Sequence, residues 1–168
     1  MPRVLPHSIG CAVSPSVPAE TVVADGWSAF LLFFAVSEHV NSATGRLDDL
    51  GVAIVEFTEC TCLRLGYPND EGLPEHPLYE QGLSDLAFTV GEVHDSTWIR
   101  DVGAQMHASA ERIWATRGIR PAARALRHFV VPLKEMTVEC LASDVTLVKF
   151  VESFEEAHAY VHARQAEH

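Results

Sequence analysis

The sequence is short of cysteines, of long apolar runs and of basic residues, and each shortage excludes a class of protein. Four cysteines in 168 residues are too few for a disulfide scaffold, so we expect reduced thiols. The longest apolar run, Ala29 to Val36, has eight residues, whereas a membrane-spanning helix needs about twenty. Twelve basic residues against 23 acidic ones give a net charge of −11, which repels nucleic-acid phosphates. We therefore expect no membrane span and no nucleic-acid partner.

The N-terminus also lacks the apolar core of a secretory signal. Only Val4 and Leu5 precede Pro6, whereas a signal peptide carries about 7–15 apolar residues before its cleavage site. We therefore expect a cytoplasmic protein. Residues 1–24 contain four prolines among small and β-branched residues, which predicts an extended N-terminal arm.

Length and apolar patterning predict a single α+β domain over residues 1–168. Hydrophobic residues make up 48% of the chain and charged residues 21%, as in ordinary globular domains. Strands mostly follow one another, which favours a mostly antiparallel, curved sheet packed against two or three helices. The predicted strands are 27–36, 52–65, 86–93, 128–133, 137–142 and 145–151. The predicted helices are 96–117 and 153–165, with a short helix after Pro121.

The predicted hairpin of residues 128–133 and 137–142 has one apolar face and one face with polar chemistry. If its turn has an even number of residues, His128 and Glu139 share the polar face. A carboxylate orients an imidazole and raises its basicity, as a general base requires. His128 and Glu139 are therefore candidate catalytic residues. The alternative interpretation is an incidental pair on a half-solvated sheet face.

The segment from Gly66 to about Ser84 is long for a connection in a compact domain, and its three prolines stiffen it. A histidine between such prolines is held in place, so His76 is a third candidate catalytic residue. Tyr79 is a candidate ligand-binding residue. The alternative is a surface loop that Leu78 and Tyr79 attach to the body of the protein.

Half of the basic residues are arginines that lie between Arg100 and Arg127. A helix after Pro121 places Arg120 and Arg124 on one side, and arginine suits carboxylate or phosphate ligands. We name these two residues as candidate binders of a small anionic ligand. Pairing with acidic neighbours on the surface is the alternative.

The cysteines do not form a recognisable ligand pattern. Cys60 and Cys62 share a predicted strand face, where Cys140 could approach, but a zinc site needs three or four converging ligands. We therefore predict no metal site. The sequence identifies no cofactor either, because it contains no phosphate loop, dinucleotide motif or nucleophile elbow.

Three groups of residues together resemble a pattern of small bacterial proteins that have no assigned function. They are Gly66 to Glu71, His76 to Tyr79 with Gly82 and Leu83, and His128-Phe129 followed by Thr137, Glu139 and Cys140. The resemblance covers roughly residues 50–142. It implies no activity, cofactor or site residue.

Two functions remain open. The first is a non-catalytic interaction protein that contacts a partner protein, or a second copy in a homodimer, through residues 66–84. The second is a small-molecule-binding protein or small enzyme that uses the His128 and Glu139 pair. The sequence narrowly favours the first. The second requires residues 66–84 to fold over the hairpin and bring His76 within about 10 Å of His128.

Overall fold

The computed structural model describes residues 1–118 and 125–167, which form two antiparallel sheets and two helices. The strands are β1 (Arg3–Pro6), β2 (Ala12–Val13), β3 (Thr21–Ala24), β4 (Ala29–Val36), β5 (Asp49–Thr58), β6 (Cys62–Gly66), β7 (Gly91–His94), β8 (Arg127–Pro132), β9 (Thr137–Ala142) and β10 (Asp144–Val151). The helices are α1 (Thr97–Arg117) and α2 (Phe154–Gln165). The α+β class and the antiparallel pairing are confirmed. In the described ranges no helix is both long and apolar enough to span a membrane.

The strands form two sheets where the sequence predicts one. The first sheet has the order β1-β7-β8-β9-β6, and the second has the order β10-β5-β4-β2, with β3 also paired to β4. The segment 52–65, predicted as one strand, is divided between β5 and β6 in different sheets. The break falls at Glu59, whose φ of 51° turns the chain. The alternating pattern continues across this turn, and for that reason the sequence does not reveal it.

The two sheets pack face to face around the main core. Val55 and Phe57 of the second sheet meet Phe129 of the first, and all three are almost inaccessible to solvent. The rings of Phe57 and Phe129 lie 6.1 Å apart between centroids. The outer face of the second sheet is covered by α2, which buries Ala157 and Val161 against it. The molecule therefore has its largest apolar layer between the sheets.

The predicted N-terminal arm contributes strands to both sheets. β1 pairs with β7 in the first sheet, whereas β2 and β3 pair with β4 in the second. Val4, Cys11 and Val13 are buried. Residues 1–24 are thus extended, as predicted, but they form paired strands rather than a separate arm.

Helix α1 begins at a side-chain cap and is half-buried at its start and exposed towards its end. The Oγ of Ser96 accepts a hydrogen bond from the Ile99 N–H, and the helix ends at Gly118 with a φ of 65°. None of the residues of α1, all of which are described, is buried. The contact with the sheet is limited to the start of the helix, where half-buried Trp98 meets His128 of β8. The predicted helix after Pro121 falls on residues 119–124, outside the described ranges.

The segment after β6 folds over the outer face of the first sheet. It contains three short 3₁₀ turns, Leu73–Glu75, Tyr79–Gln81 and Leu83–Asp85. Leu78 and Leu83 join Val130 in a second apolar cluster on this face. The segment 66–84 therefore covers the polar face of the hairpin, as the small-molecule hypothesis requires.

Candidate functional site

The hairpin of β8 and β9 has the register that parity predicts. Val130 is opposite Glu139, and His128 is opposite Leu141, so His128 and Glu139 are diagonal neighbours on one face. The Nε2 atom of His128 lies 2.9 Å from Oε2 of Glu139. His128 is buried, with 4% of its surface exposed. The imidazole and the carboxylate are therefore in hydrogen-bond contact inside the protein.

His76 approaches the same carboxylate from the covering segment. Its Nε2 lies 3.8 Å from Oε1 of Glu139, which is ion-pair contact but too long for a hydrogen bond. The Leu78 N–H donates to Nδ1 of His76 over 3.1 Å. In the neutral ring the proton is therefore on Nε2 and faces Glu139. Two distant parts of the chain thus place histidines beside one carboxylate.

Ser96 extends the arrangement on the other side of His128. Its Oγ lies 2.8 Å from Nδ1 of His128 and also accepts the N–H of Ile99. The hydroxyl proton is then available to Nδ1, while the Nε2 proton of His128 points to Glu139. The three side chains form a continuous chain of hydrogen bonds from a hydroxyl through an imidazole to a carboxylate.

The ionisation of Glu139 is set by these neighbours. Burial raises the pKa of Glu139, but the hydrogen bond from His128 and the closeness of His76 outweigh it and hold the pKa at about 2. The carboxylate therefore stays ionised at neutral pH. An ionised carboxylate stabilises positive charge on an imidazole that takes up a proton.

The chain of hydrogen bonds lies in the wall of a small cavity, which we name the Glu139 cavity. Its volume is about 110 Å³, and its polar and aromatic lining consists mainly of Arg64, His76, Ser96, Trp98, His128 and Glu139. The guanidinium of Arg64 stacks over the ring of Trp98 at 3.8 Å. The Trp98 ring in turn meets His128 edge-on at 5.2 Å. The more exposed Arg64 therefore forms the outer rim, and the imidazole lies deeper.

The structure brings together some of the candidate residues and separates others. His128, Glu139 and His76 meet at the cavity. Tyr79 is partly buried but is not among the residues that line it. Arg120 and Arg124 lie outside the described residues. At the cavity the cationic side chain is that of Arg64, whose Nη1 lies 3.9 Å from Oε1 of Glu139.

Three contributors were not predicted as site residues. Ser96 is recognisable from the sequence only as a helix cap, and Trp98 only as a member of the first helical turn. Arg64 faces Glu139 because β6 pairs with β9. Had that pairing been known, the strand register would have identified Arg64.

The site is thus built from a hydroxyl, two imidazoles, a carboxylate and a guanidinium. Within residues 1–118 and 125–167, no group of three or more His, Cys, Asp or Glu residues is placed to hold a metal ion. The fold and the site together define an α+β protein with a mostly buried cluster of ionisable side chains between a sheet and the segment that covers it.

Comparison with known proteins adds no assignment to this geometry. No protein-family model, curated protein or solved structure matches the chain. The resemblance to small bacterial proteins therefore stays a prediction, and the function is argued from the site itself.

Proposed function

We propose that the protein is a small hydrolase that cleaves an activated acyl substrate, such as an ester, at the Glu139 cavity. The observation that carries the proposal is the chain of hydrogen bonds from Ser96 through His128 to Glu139. Serine, histidine and a carboxylate in this order activate a hydroxyl as a nucleophile on several unrelated folds. This is the enzymatic form of the small-molecule function that the sequence leaves open as the alternative.

In the proposed reaction, Oγ of Ser96 attacks the acyl carbon while Nδ1 of His128 accepts the hydroxyl proton. Glu139 holds the imidazole through Nε2 and stabilises its positive charge. The proton then passes to the leaving group, and water repeats the steps to release the acid. Compared with the common triad, the two ring nitrogens exchange roles, which leaves the order of proton transfer unchanged.

The start of α1 is suited to the charge that develops on the carbonyl oxygen. The first N–H groups of a helix have no partner inside the helix and carry partial positive charge. Thr97 and Trp98 supply such groups, and both residues line the Glu139 cavity. We expect these donors to stabilise the oxyanion.

The cavity also indicates the size of the substrate. Its volume of about 110 Å³ is well below the roughly 300–1,000 Å³ of sites for drug-sized ligands. We therefore expect the cavity to hold only the reacting end of the substrate. Arg64 on the rim is suited to a carboxylate or phosphate elsewhere in that substrate. This assigns to Arg64 the anion contact expected of Arg120 and Arg124.

The test is hydrolysis of p-nitrophenyl acetate by the full chain, with Ser96→Ala compared with Ser153→Ala. Both serines cap a helix, so each variant loses about 1 kcal/mol of capping. Only Ser96 lines the cavity. We expect Ser96→Ala to lose about 100-fold or more in kcat/KM and Ser153→Ala to keep the wild-type value.

A fluorophosphonate probe separates a serine nucleophile from general histidine catalysis. We expect the wild-type protein to be labelled at Ser96 and the His128→Gln variant to be labelled much more slowly. Equal turnover by wild type and Ser96→Ala, or labelling elsewhere in the chain, contradicts the proposal.

The interaction function remains a second candidate because of one edge of the first sheet. His76 and Leu78, which the sequence offers to a partner, are buried. The edge strand β6, however, carries Leu65 with 54% of its surface exposed, and Tyr67 beyond it is 70% exposed. An open edge of this kind favours pairing with a second copy. Sedimentation velocity on the full chain tests for this dimer, and a cytoplasmic location stays part of the proposal.

A further inference from the structure

Two cysteines from different parts of the chain meet away from the Glu139 cavity. Cys60 lies in the connection between β5 and β6, and Cys140 lies in β9. Their Sγ atoms are 3.3 Å apart. Cys140 is fully buried in the main core, whereas Cys60 is only partly buried. One thiol of the pair therefore faces an oxidant first, and the other lies directly behind it.

The backbone holds Cys60 in this position. Its N–H donates to the carbonyl of Trp27 over 2.8 Å, and the next residue, Thr61, donates its N–H to Leu141 over 2.7 Å. The connection is thus bonded to the β3–β4 turn of the second sheet and to β9 of the first. The sulfurs need to close from 3.3 Å to the roughly 2.05 Å of a disulfide, which a change of side-chain torsion can supply.

The pKa values of the two thiols are shifted in opposite directions, as an oxidation in which Cys60 reacts first requires. The hydrogen bond with Cys140 lowers the pKa of Cys60, although burial opposes it. The same contact, together with burial, raises the pKa of Cys140. A thiolate is the reactive form of cysteine, so Cys60 is the attacking sulfur and Cys140 the second one. By contrast, burial raises the pKa of Cys11 to about 12, which makes that thiol inert.

We propose that Cys60 and Cys140 form a reversible redox pair that a hydroperoxide oxidises to a disulfide. The Cys60 thiolate attacks the O–O bond of the hydroperoxide, becomes a sulfenic acid and releases an alkoxide or hydroxide that takes up a proton. The Cys140 thiol then attacks the Cys60 sulfur, and water leaves. Two thiols and one hydroperoxide give one disulfide, one water and one alcohol, or a second water when the oxidant is hydrogen peroxide. A small dithiol returns both cysteines to the reduced form.

The disulfide has a structural consequence. It ties the connection between the sheets to β9 and closes a loop that contains residues 61–139. Closing a long loop restricts the unfolded chain more than the folded one. We therefore expect the oxidised protein to unfold at a higher urea concentration than the reduced protein.

The test uses the full chain treated with one equivalent of hydrogen peroxide and digested without reduction. We expect mass spectrometry to find the peptide of Cys60 joined to that of Cys140, lighter by two hydrogen atoms and separated by dithiothreitol. Cys62→Ser is the matched control, because Cys62 is the partly buried neighbour two positions along. This variant should give the same cross-link.

Two further variants test the order of the steps. In Cys140→Ala, we expect Cys60 to stop at the sulfenic acid, which dimedone traps. In Cys60→Ser, we expect Cys140 to remain reduced. A cross-link to Cys62, a disulfide between two chains, or over-oxidation of Cys60 without a cross-link in the wild type overturns the proposal. The wild-type result decides this even if a variant does not fold.

Discussion

At the scale of single residues, Glu139 connects every polar part of the site. One carboxylate oxygen contacts His128, and the other lies near both His76 and Arg64. Only 15% of its side chain is exposed, so solvent screens these contacts weakly. Glu139 therefore holds the His128 imidazole and also joins the covering segment to the hairpin.

The lowered pKa of Glu139 predicts a loss of stability in acid. Its pKa falls from 4.5 to about 2 on folding, so the contribution is present above about pH 4.5 and disappears as pH falls through 2. The shift corresponds to about 3 kcal/mol. We expect the difference in unfolding free energy between wild type and Glu139→Gln to shrink by about this amount from about pH 6 to about pH 2.

Urea unfolding followed by circular dichroism measures this difference. Glu135→Gln is the matched control, because Glu135 lies in the turn of the same hairpin and is exposed. We expect that control to follow the wild-type pH profile. The prediction is wrong if the unfolding free energy of the wild type exceeds that of Glu139→Gln by the same amount at both pH values. The pKa of Glu139 is then not lowered by folding.

The sequence predicts the part of the site that depends on local periodicity. His128 and Glu139 are placed on one face by strand parity, which needs only the hairpin. The contact of His76 with Glu139 depends on how a long segment folds back over the sheet. The sequence does not predict that folding, and the small-molecule hypothesis only requires it. The position of Arg64 at the site depends on the pairing of β6 with β9. This is a long-range contact that the local sequence pattern does not indicate.

At the scale of elements, the two helices have similar caps and different surroundings. Both start at a serine whose Oγ accepts a backbone N–H three residues later. α2 buries two residues against the second sheet, whereas α1 buries none of its residues, which are described throughout. Capping and periodicity predict where each helix begins and ends. They do not predict which helix packs, because this depends on the sheet face that remains uncovered.

The exposure of α1 predicts that Gly103→Ala stabilises the protein. A Cβ at Gly103 meets no atom within 4 Å, and φ is not in the positive region. Alanine restricts the unfolded chain and favours the helix by about 0.5–1 kcal/mol relative to glycine. We expect the urea midpoint to rise by the corresponding amount.

Gly82→Ala is the contrasting control for this prediction. Gly82 has a φ of 108°, and a Cβ there meets the carbonyl oxygen of Val4 at 2.6 Å. We expect this variant to lower the midpoint. A fall for both variants contradicts the exposed position of α1, whereas no change for Gly103→Ala means that α1 unfolds before the sheets.

At the scale of the whole molecule, the layers depend on one shared core. Phe129 on β8 meets Phe57 of the other sheet, and its ring also contacts His7 from the N-terminal residues at 5.6 Å. Neighbouring Arg127 pairs with Glu92 in the first sheet and with Asp144 in the second, each at 2.6 Å. The two sheets therefore share both apolar and ionic contacts, which argues that they unfold together.

Phe129→Ala tests whether the two sheets unfold together, as the prediction of a single domain requires. Removing a fully buried phenylalanine costs about 3–5 kcal/mol, a large part of the roughly 5–15 kcal/mol that stabilises most domains. We expect urea midpoints from tryptophan fluorescence and circular dichroism to fall together, with one transition by both probes. Phe150→Ala is the control, because Phe150 is 36% exposed on β10 and its removal should cost less than about 1 kcal/mol. Separate transitions by the two probes in Phe129→Ala would mean that the sheets are independent units, because loss of the shared core would then unfold one and leave the other folded.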